Sequence, residues 1–543
     1  METQIDHSLW VLALFSKCQA LSSTATLFVF LFLAAVYLAA AVFYWASTPG
    51  GTAWGRHHWK TRTTLRKLVQ NHKNQLSTTT TPIPGPRGFP IIGSMSLMTN
   101  LAHHKLTKAA ELFQAKRLMA FSLGETRFVV TCNHNVAKEI LNSPVFASRP
   151  VKESAYGLMF NRAIGFAPYG NYWRALRRIC AAHLFSPKQI SASEHQRFEI
   201  ADQMVSMISA LAENSFCVRD ILRRASLNNM MCSVFGRKYE LGSSNEETEV
   251  LRRLVDEGYD LLGKLNWSDH LPWLAGLDLQ SVRSRCSKLV PEVNRFVGRI
   301  IQEHRAQTGR KNHDFVDVLL SLDGPDKLSE SDMISVLWEM IFRGADTVAV
   351  LIEWILARMV QHHDVQSKVH EELDRVVGSR PLVESDIQSM VYLPAVVKEV
   401  LRIHPPGPLL SWARLSIRDT VVDGYHVPAG TTAMVNMWAI TRDPEVWEDP
   451  LEFKPERFVL SKDADVQFSV LGSDLRLAPF GSGTRGCPGK ALGLTTVTFW
   501  VGSLLHDFKW AKSHPNDPVD LSEVLRLSCE MKHPLTVKVN RKN

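Results

Sequence analysis

The chain has 543 residues, 45% of them apolar, enough for one unusually large domain or for several with a sizeable core. Its formal net charge is +8, but Lys and Arg are spread along the chain without a long run, so a membrane surface or an acidic protein partner is expected rather than nucleic acid. The eight cysteines (Cys18, Cys132, Cys180, Cys217, Cys232, Cys286, Cys487 and Cys529) form no CxxC pair and no zinc-type spacing, which excludes a disulfide scaffold and reads as free thiols in a reducing compartment.

In chain order, the first predicted element is Ala25 to Trp45, a run without charge that is long enough to cross a bilayer as a helix. Its leader carries Glu2, Asp6 and Lys17, whereas a cleaved signal has a basic leader and a shorter apolar stretch. The downstream flank holds Arg56, Lys60, Arg62, Arg66, Lys67 and Lys73, with no acid between residues 46 and 81. The positive-inside rule then makes 1–24 a lumenal N-terminus, 25–45 an uncleaved transmembrane signal anchor, and the bulk of the chain cytosolic. Residues 46–81 read as a basic, flexible linker near anionic lipid. The run Pro82-Ile83-Pro84-Gly85-Pro86-Arg87-Gly88-Phe89-Pro90 fixes φ and holds the chain extended. It opens the remaining domain, 82–543.

Patterning in that domain is mainly α with small β-sheets. Short strands are expected near Phe128–Thr131 and Val421–Val435. Trp173 and Arg177 lie one helical turn apart, so an indole N–H and a guanidinium can serve one carboxylate; taken alone, this is a surface helix with a basic face. Arg174 and Arg178 sit on a different part of that helix. A long helix is predicted from Ser331 to His362, ~48 Å in length and opened by a capping box of Ser329 and Asp332. Gly344-Ala345-Asp346-Thr347 interrupts its apolar faces, which suggests a local widening for a water or a diatomic molecule. By itself that motif is weak. Glu399 and Arg402 share one face of a helix, and Pro455-Glu456-Arg457-Phe458 follows. Arg414 lies in a strand-like run, Leu409 to Arg414.

The most specific segment is Phe480-Gly481-Ser482-Gly483-Thr484-Arg485-Gly486-Cys487-Pro488-Gly489. A glycine-rich turn presents one cysteine, and its backbone N–H groups can donate to the sulfur. Arg485 offers donors for a carboxylate on the same cofactor.

This segment resembles the haem-binding loop of the cytochromes P-450, and the resemblance runs from Pro82 to the C-terminus. It implies the cytochrome P-450 fold, preceded by an N-terminal transmembrane helix. It implies haem b as cofactor, with Cys487 as the thiolate ligand of the iron and Trp173, Arg177, Arg414, Phe480 and Arg485 around the haem. Asp346 and Thr347 take the oxygen-activation role, Asp346 relaying protons and Thr347 bonding the activated oxygen. Glu399, Arg402 and Arg457 become a buried structural network. Arg343 departs from the usual Ala or Gly before the motif glycine. The pocket is expected to include Leu158, Met159, Phe160, Leu409, Leu410 and Leu527, with Lys152, Arg162 and Arg526 as candidates for holding a carboxylate. Arg174, Arg178 and Lys490 suit a basic patch for an acidic electron donor.

The strings from Phe342 to Ala349 and from Phe166 to Arg174 look like the plant microsomal group that includes the KLUH growth regulator. The implied activity is a haem-thiolate monooxygenase on an apolar small molecule, such as a fatty acid or a related growth-signal precursor. It would use O2 and electrons from NADPH through NADPH-cytochrome P-450 reductase, at the endoplasmic reticulum membrane. The alternatives are a non-catalytic haem-binding membrane protein and a reductase-independent hydroperoxide isomerase or dehydratase.

Overall fold

The computed structural model describes residues 23–69, 81–242, 245–307, 314–410, 413–459, 468, 470–471, 474–514 and 516–542. Most of the expected lumenal segment, the linker residues 70–80, and Ser411 and Trp412 beside Arg414 lie outside them.

Helix α1 (Ser23–Ser47) has no charged residue in either end turn. Within Leu27–Ser47 an 18-residue window has a mean hydropathy of 2.5, and none of that window is buried inside the protein. A helix that apolar normally hides in a core, so one exposed along its length is suited to lipid.

A flexible linker was expected next. The described residues instead form a second helix, α2 (Thr52–Val69), after a tight turn. Gly50 and Gly51 take φ of +83° and +81°, conformations that glycine adopts without strain. The turn is fastened to the domain. Ser122 Oγ donates to Gly50 O at 2.6 Å and accepts from the Ala53 N–H at 3.1 Å. Trp54 is buried and its indole N–H lies 3.2 Å from the carbonyls of both Phe121 and Phe128. The proline-rich run lies flush on the same strand. Ala120 N–H donates to Pro84 O at 2.9 Å, and a Cβ on Gly85 would sit 1.9 Å from Ala120 O.

That strand is β1 (Met119–Leu123), paired antiparallel with β2 (Thr126–Thr131). With β3 (Arg414–Leu415) and β4 (Thr432–Val435) they form a sheet of order β1-β2-β4-β3, in which β2 and β4 run parallel. The short strands expected near Val421–Val435 are a hairpin, Thr420–Val422 with Tyr425–Val427, followed by β4. The hairpin β5 (Glu523–Leu525) and β6 (Cys529–Met531) lies near the C-terminus.

Six helices position the site: α3 (Asn171–His183), α4 (Val218–Phe235), α5 (Glu246–Gly263), α6 (Glu330–Gln361), α7 (Tyr392–Ile403) and α8 (Lys490–Asp507). The spine is α6, whose 32 residues are mostly buried. Its N-terminal part, up to Ala345, packs in one hydrophobic core with α4 and α5. From Ala349 onward it packs in another, with α7 and α8. The Gly344–Thr347 motif falls where the two cores meet.

Ser329 caps α6 by accepting the Asp332 N–H at 3.1 Å. Asp332 does not complete a reciprocal capping box; its carboxylate accepts from Arg162 at 2.6 and 2.8 Å. The helix is continuous through Gly344, without the expected widening. Gly344 serves close packing: a Cβ there would lie 2.3 Å from Met230 Sδ, and Ser226 Oγ on α4 donates to its carbonyl at 3.1 Å.

On α7, Glu399 and Arg402 are both completely buried. Arg402 Nε and Nη2 donate to the two Glu399 oxygens at 2.8 and 2.7 Å. Its remaining donors reach the carbonyls of Thr441, Pro450 and Glu452. Arg457, in the single turn Pro455–Phe458, adds a donor to Glu399 at 3.2 Å and two more to Glu448 O and Asp449 O. The cluster pins α7 to the segment 441–457.

Candidate active site

A cavity of about 340 Å³ lies against α6 where the two cores join. Leu351, Leu401, Leu409, Val435, Leu492 and Val497 give it apolar walls. Cys487 opens onto it from one side and Thr347 from the helix side.

The cysteine loop is shaped by its glycines. Gly481 and Gly483 have φ of +68° and +67°, and a Cβ on Gly483 would lie 2.0 Å from Leu141 O. The Cys487 N–H closes the loop onto Phe480 O at 2.9 Å. Burial raises the Cys487 thiol, while the Gly489 N–H and the charges of Arg177, Arg343 and Lys490 pull it down. Phe480 lines the cavity beside it. Cys529 is different: it does not line this cavity, its Sγ contacts Glu523 Oε2 at 3.3 Å, and burial pushes its thiol far up.

Among the described residues, five arginines line the cavity: Arg149, Arg177, Arg343, Arg414 and Arg485. One carboxylate among the described residues, Glu339, faces them. Arg177 donates to Gly486 O at 2.6 Å and Arg414 to Ser482 O at 3.2 Å, so both touch the cysteine loop. Arg414 Nη1 is buried with no hydrogen-bond partner, and burial, with the charges of Arg485 and Arg177, pulls this guanidinium down to about 9. Arg149 contacts Gly165 O and Ala413 O, and burial pulls it down strongly. A buried cation surplus is costly without an anion to meet it. The residues therefore fit a flat apolar cofactor that carries carboxylates and takes a sulfur ligand.

Two expected cofactor donors are occupied otherwise. The Trp173 indole N–H donates to Ile164 O at 2.9 Å. Arg485 donates to the carbonyls of Ala147, Ile164 and Ala167 and lies over the Trp173 ring at 4.3 Å. Both line the cavity, but their hydrogen bonds organise its wall. Backbone carbonyls of the 147–167 segment, invisible in the side-chain pattern, compete for these donors. Arg149 was missed at the sequence level. Its surroundings, Ser148-Arg149-Pro150, hold no local sign of a cavity.

Asp346 and Thr347 are neighbours in sequence but face different spaces. Thr347 faces the cysteine cavity. Asp346 faces a second cavity, of about 570 Å³, between α4, α5 and the β5–β6 hairpin. There Arg223 bridges Asp346 at 3.2 Å and Glu530 at 2.8 Å. Burial raises Asp346 to about 6, against the opposing charge of Arg223. Tyr259 and Ser528 line both cavities.

Leu409, Leu410 and Leu527 line the cysteine cavity as expected; Leu158, Met159 and Phe160 do not. Leu158 and Phe160 are wholly buried, and Phe160 packs on Phe342 with centroids 5.0 Å apart. An apolar run near a pocket and one inside the adjacent core have the same composition. Lys152 donates to Leu262 O, Arg162 pairs with Asp332, and Arg526 pairs with Glu530 at 3.3 Å. Arg174 and Arg178 are exposed, the latter paired with Asp326, and Lys490 donates to Leu471 O.

A family model described as "Cytochrome P450" matches residues 83–535. "Cytochrome P450 78A9" of Arabidopsis thaliana is 64% identical over 99% of this chain and 98% of its own length. "Cytochrome P450 78A3" of Glycine max is 63% identical over 99% of both chains. More distantly, "Flavonoid 3'-monooxygenase" of Arabidopsis thaliana is 34% identical over 86% of this chain and 92% of its own length. With its mostly helical fold and cysteine-bearing cavity, the chain belongs to the cytochrome P-450 family of haem-thiolate monooxygenases and is of the plant 78A type.

Proposed function

We propose that the chain is a membrane-anchored monooxygenase that hydroxylates an apolar small molecule at the cavity between Cys487 and Thr347. The supporting observation is the pairing of one loop-held cysteine with an arginine-rich, otherwise apolar cavity under the α6 motif. Haem, when bound, supplies the reductive activation of dioxygen. Cys487 provides the sulfur for its iron, with the Gly489 N–H directed at that sulfur. Arg414, Arg177 and Arg149 meet its carboxylates; Phe480 packs beside it, while Trp173 and Arg485 hold the wall. The Thr347 hydroxyl presents a proton to the cavity. Asp346, on the solvent-side cavity, takes up protons and passes them along α6. The apolar walls exclude water. One oxygen atom enters the substrate and the other leaves as water.

The electron donor is NADPH-cytochrome P-450 reductase, met by the exposed arginines Arg174 and Arg178 and by Lys490. The anchor, residues 25–45, crosses the endoplasmic reticulum membrane once and leaves the catalytic domain in the cytosol. Docking of α2 on β1 and β2 holds that domain close to the bilayer. The substrate is a fatty acid or a related growth-signal precursor.

Co-expression with a plant reductase, NADPH and labelled dioxygen tests this reading. A fatty-acid product carrying one labelled oxygen atom is expected. A reaction that proceeds without the reductase would overturn it in favour of an isomerase or dehydratase.

A further inference from the structure

We propose that His103, Glu523 and Cys529 form a site for one thiophilic divalent cation of the zinc type, which fastens the β5–β6 hairpin to the helix Ala102–Leu112. The site is separate from the cysteine cavity, which none of the three residues lines.

The ligands come from opposite ends of the chain. In the antiparallel register of β5 and β6, Glu523 pairs with Met531 and Cys529 with Leu525. Glu523 and Cys529 are therefore diagonal neighbours on one face of the hairpin. Cys529 Sγ contacts Glu523 Oε2 at 3.3 Å. His103 and His104, in the first turn of their helix, both turn a ring nitrogen to this carboxylate. His103 Nε2 lies 2.8 Å from Oε1, and His104 Nε2 meets the same oxygen. The Trp438 ring packs on both imidazoles, with centroids 5.5 and 4.2 Å away, and Asn436 Nδ2 donates to His103 O at 2.9 Å. The rings are thus oriented by packing as well as by Glu523.

Three observations favour an ion over a purely hydrogen-bonded cluster. First, one imidazole nitrogen, one carboxylate oxygen and one sulfur lie within 4.8 Å of one another. Tetrahedral zinc, with bonds of about 2.0–2.3 Å, holds its ligand atoms about 3.3–3.8 Å apart, so small side-chain shifts close the site. Second, the His103 ring is completely buried and its Nδ1 has no hydrogen-bond partner. No protein group at Nδ1 fixes the tautomer, so the Nε2 lone pair can be offered to a cation. Third, the charges match: a carboxylate and a thiolate neutralise a dication, and a neutral imidazole adds nothing. The charge of Arg442 also acts on His103 and Cys529, but its guanidinium is engaged by the carbonyls of Trp438 and Ile403 and by the Trp438 ring at 4.3 Å. Nitrogen and sulfur ligands select zinc-type ions over calcium and magnesium, which take oxygen. Coordination breaks the Cys529 S–H bond, forms a metal–sulfur bond and releases the proton to solvent. Leu527 and Ser528, between the two strands, line the cysteine cavity, so the ion would steady one part of its wall.

The test uses the untagged, full-length, haem-loaded protein in detergent. It is equilibrated with zinc chloride in excess magnesium, desalted, and analysed for zinc per haem. Wild type should retain one zinc per haem, and its zinc-edge X-ray absorption should show a sulfur at about 2.3 Å. Cys529→Ser should lose both the retained zinc and the sulfur signal. His103→Gln should also lose the zinc, and it keeps the question answerable if the serine variant fails to fold. His104→Ala, which removes a hydrogen bond to the ligating carboxylate, should weaken zinc binding by about tenfold to a hundredfold. Zinc should raise the melting temperature of wild type and of neither ligand variant. Wild type that retains no zinc would overturn the proposal. So would zinc retained equally by both ligand variants, or bound without sulfur, either of which marks an adventitious ion only. The reduced carbonyl spectrum is recorded before and after loading; a thiolate band lost on loading would place the zinc on Cys487 and overturn the assignment to Cys529.

Discussion

Two regions of this molecule bury several arginines, and they solve the problem differently. Around Glu399, the donors of Arg402 and Arg457 are met by that carboxylate and five backbone carbonyls. Around Cys487, five arginines face one glutamate, and Arg414 keeps a buried Nη1 without a partner. The first cluster is complete within the protein. The second is complete only with an added anion. Burial and arginine content do not separate a structural network from a binding site; the balance of donors and acceptors does.

The comparison can be broken at its closed end. Removing one partner there strands buried charge, so Arg402→Ala should cost about 3–5 kcal/mol and reduce folded, haem-loaded protein to a small fraction. A melting curve monitored by haem absorbance measures this. A variant as stable as wild type would show that the network carries no structural load.

At the open end the sign should reverse for the protein without cofactor. Arg414→Met removes an unmet buried cation. The haem-free variant should be as stable as wild type or up to about 2 kcal/mol more stable, while haem retention on dilution falls. Equal loss of stability with and without haem would place Arg414 among the structural arginines.

Asp346 lies between these extremes, buried but bridged by Arg223. Burial raises it from 3.8 to about 6, so the folded state holds this proton more tightly than the unfolded chain. The stabilisation is full below pH 3.8 and is lost as pH rises through about 6. Asp346→Asn should therefore gain on wild type by about 1 kcal/mol more at pH 7 than at pH 5. A stability gap independent of pH would remove the raised carboxyl from the account.

The same contrast explains what the sequence could disclose. Cys487 and its glycines were legible because a tight turn with positive φ at Gly481 and Gly483 restricts the residues that can build it. Helix α6 was legible from its length and cap, and the Glu399 network from the family resemblance, since spacing alone gave no more than an ion pair on one helix face. The docked helix α2 was not, since a basic polar run gives no hint that Trp54 will find two carbonyls on a distant sheet. Arg149 was hidden because its place in the cavity comes from tertiary packing. Trp173 and Arg485, expected around the haem, line the cavity, and backbone carbonyls claim donors that had been assigned to a cofactor.

The central claim is that Cys487 holds the haem iron in the arginine-lined cavity. The most direct measurement is the reduced carbonyl spectrum of wild type and Cys487→Ser, with Cys529→Ser as control. The thiolate-type band should be present in wild type and Cys529→Ser and absent from Cys487→Ser. A thiolate-type band that persists in Cys487→Ser would contradict the assignment.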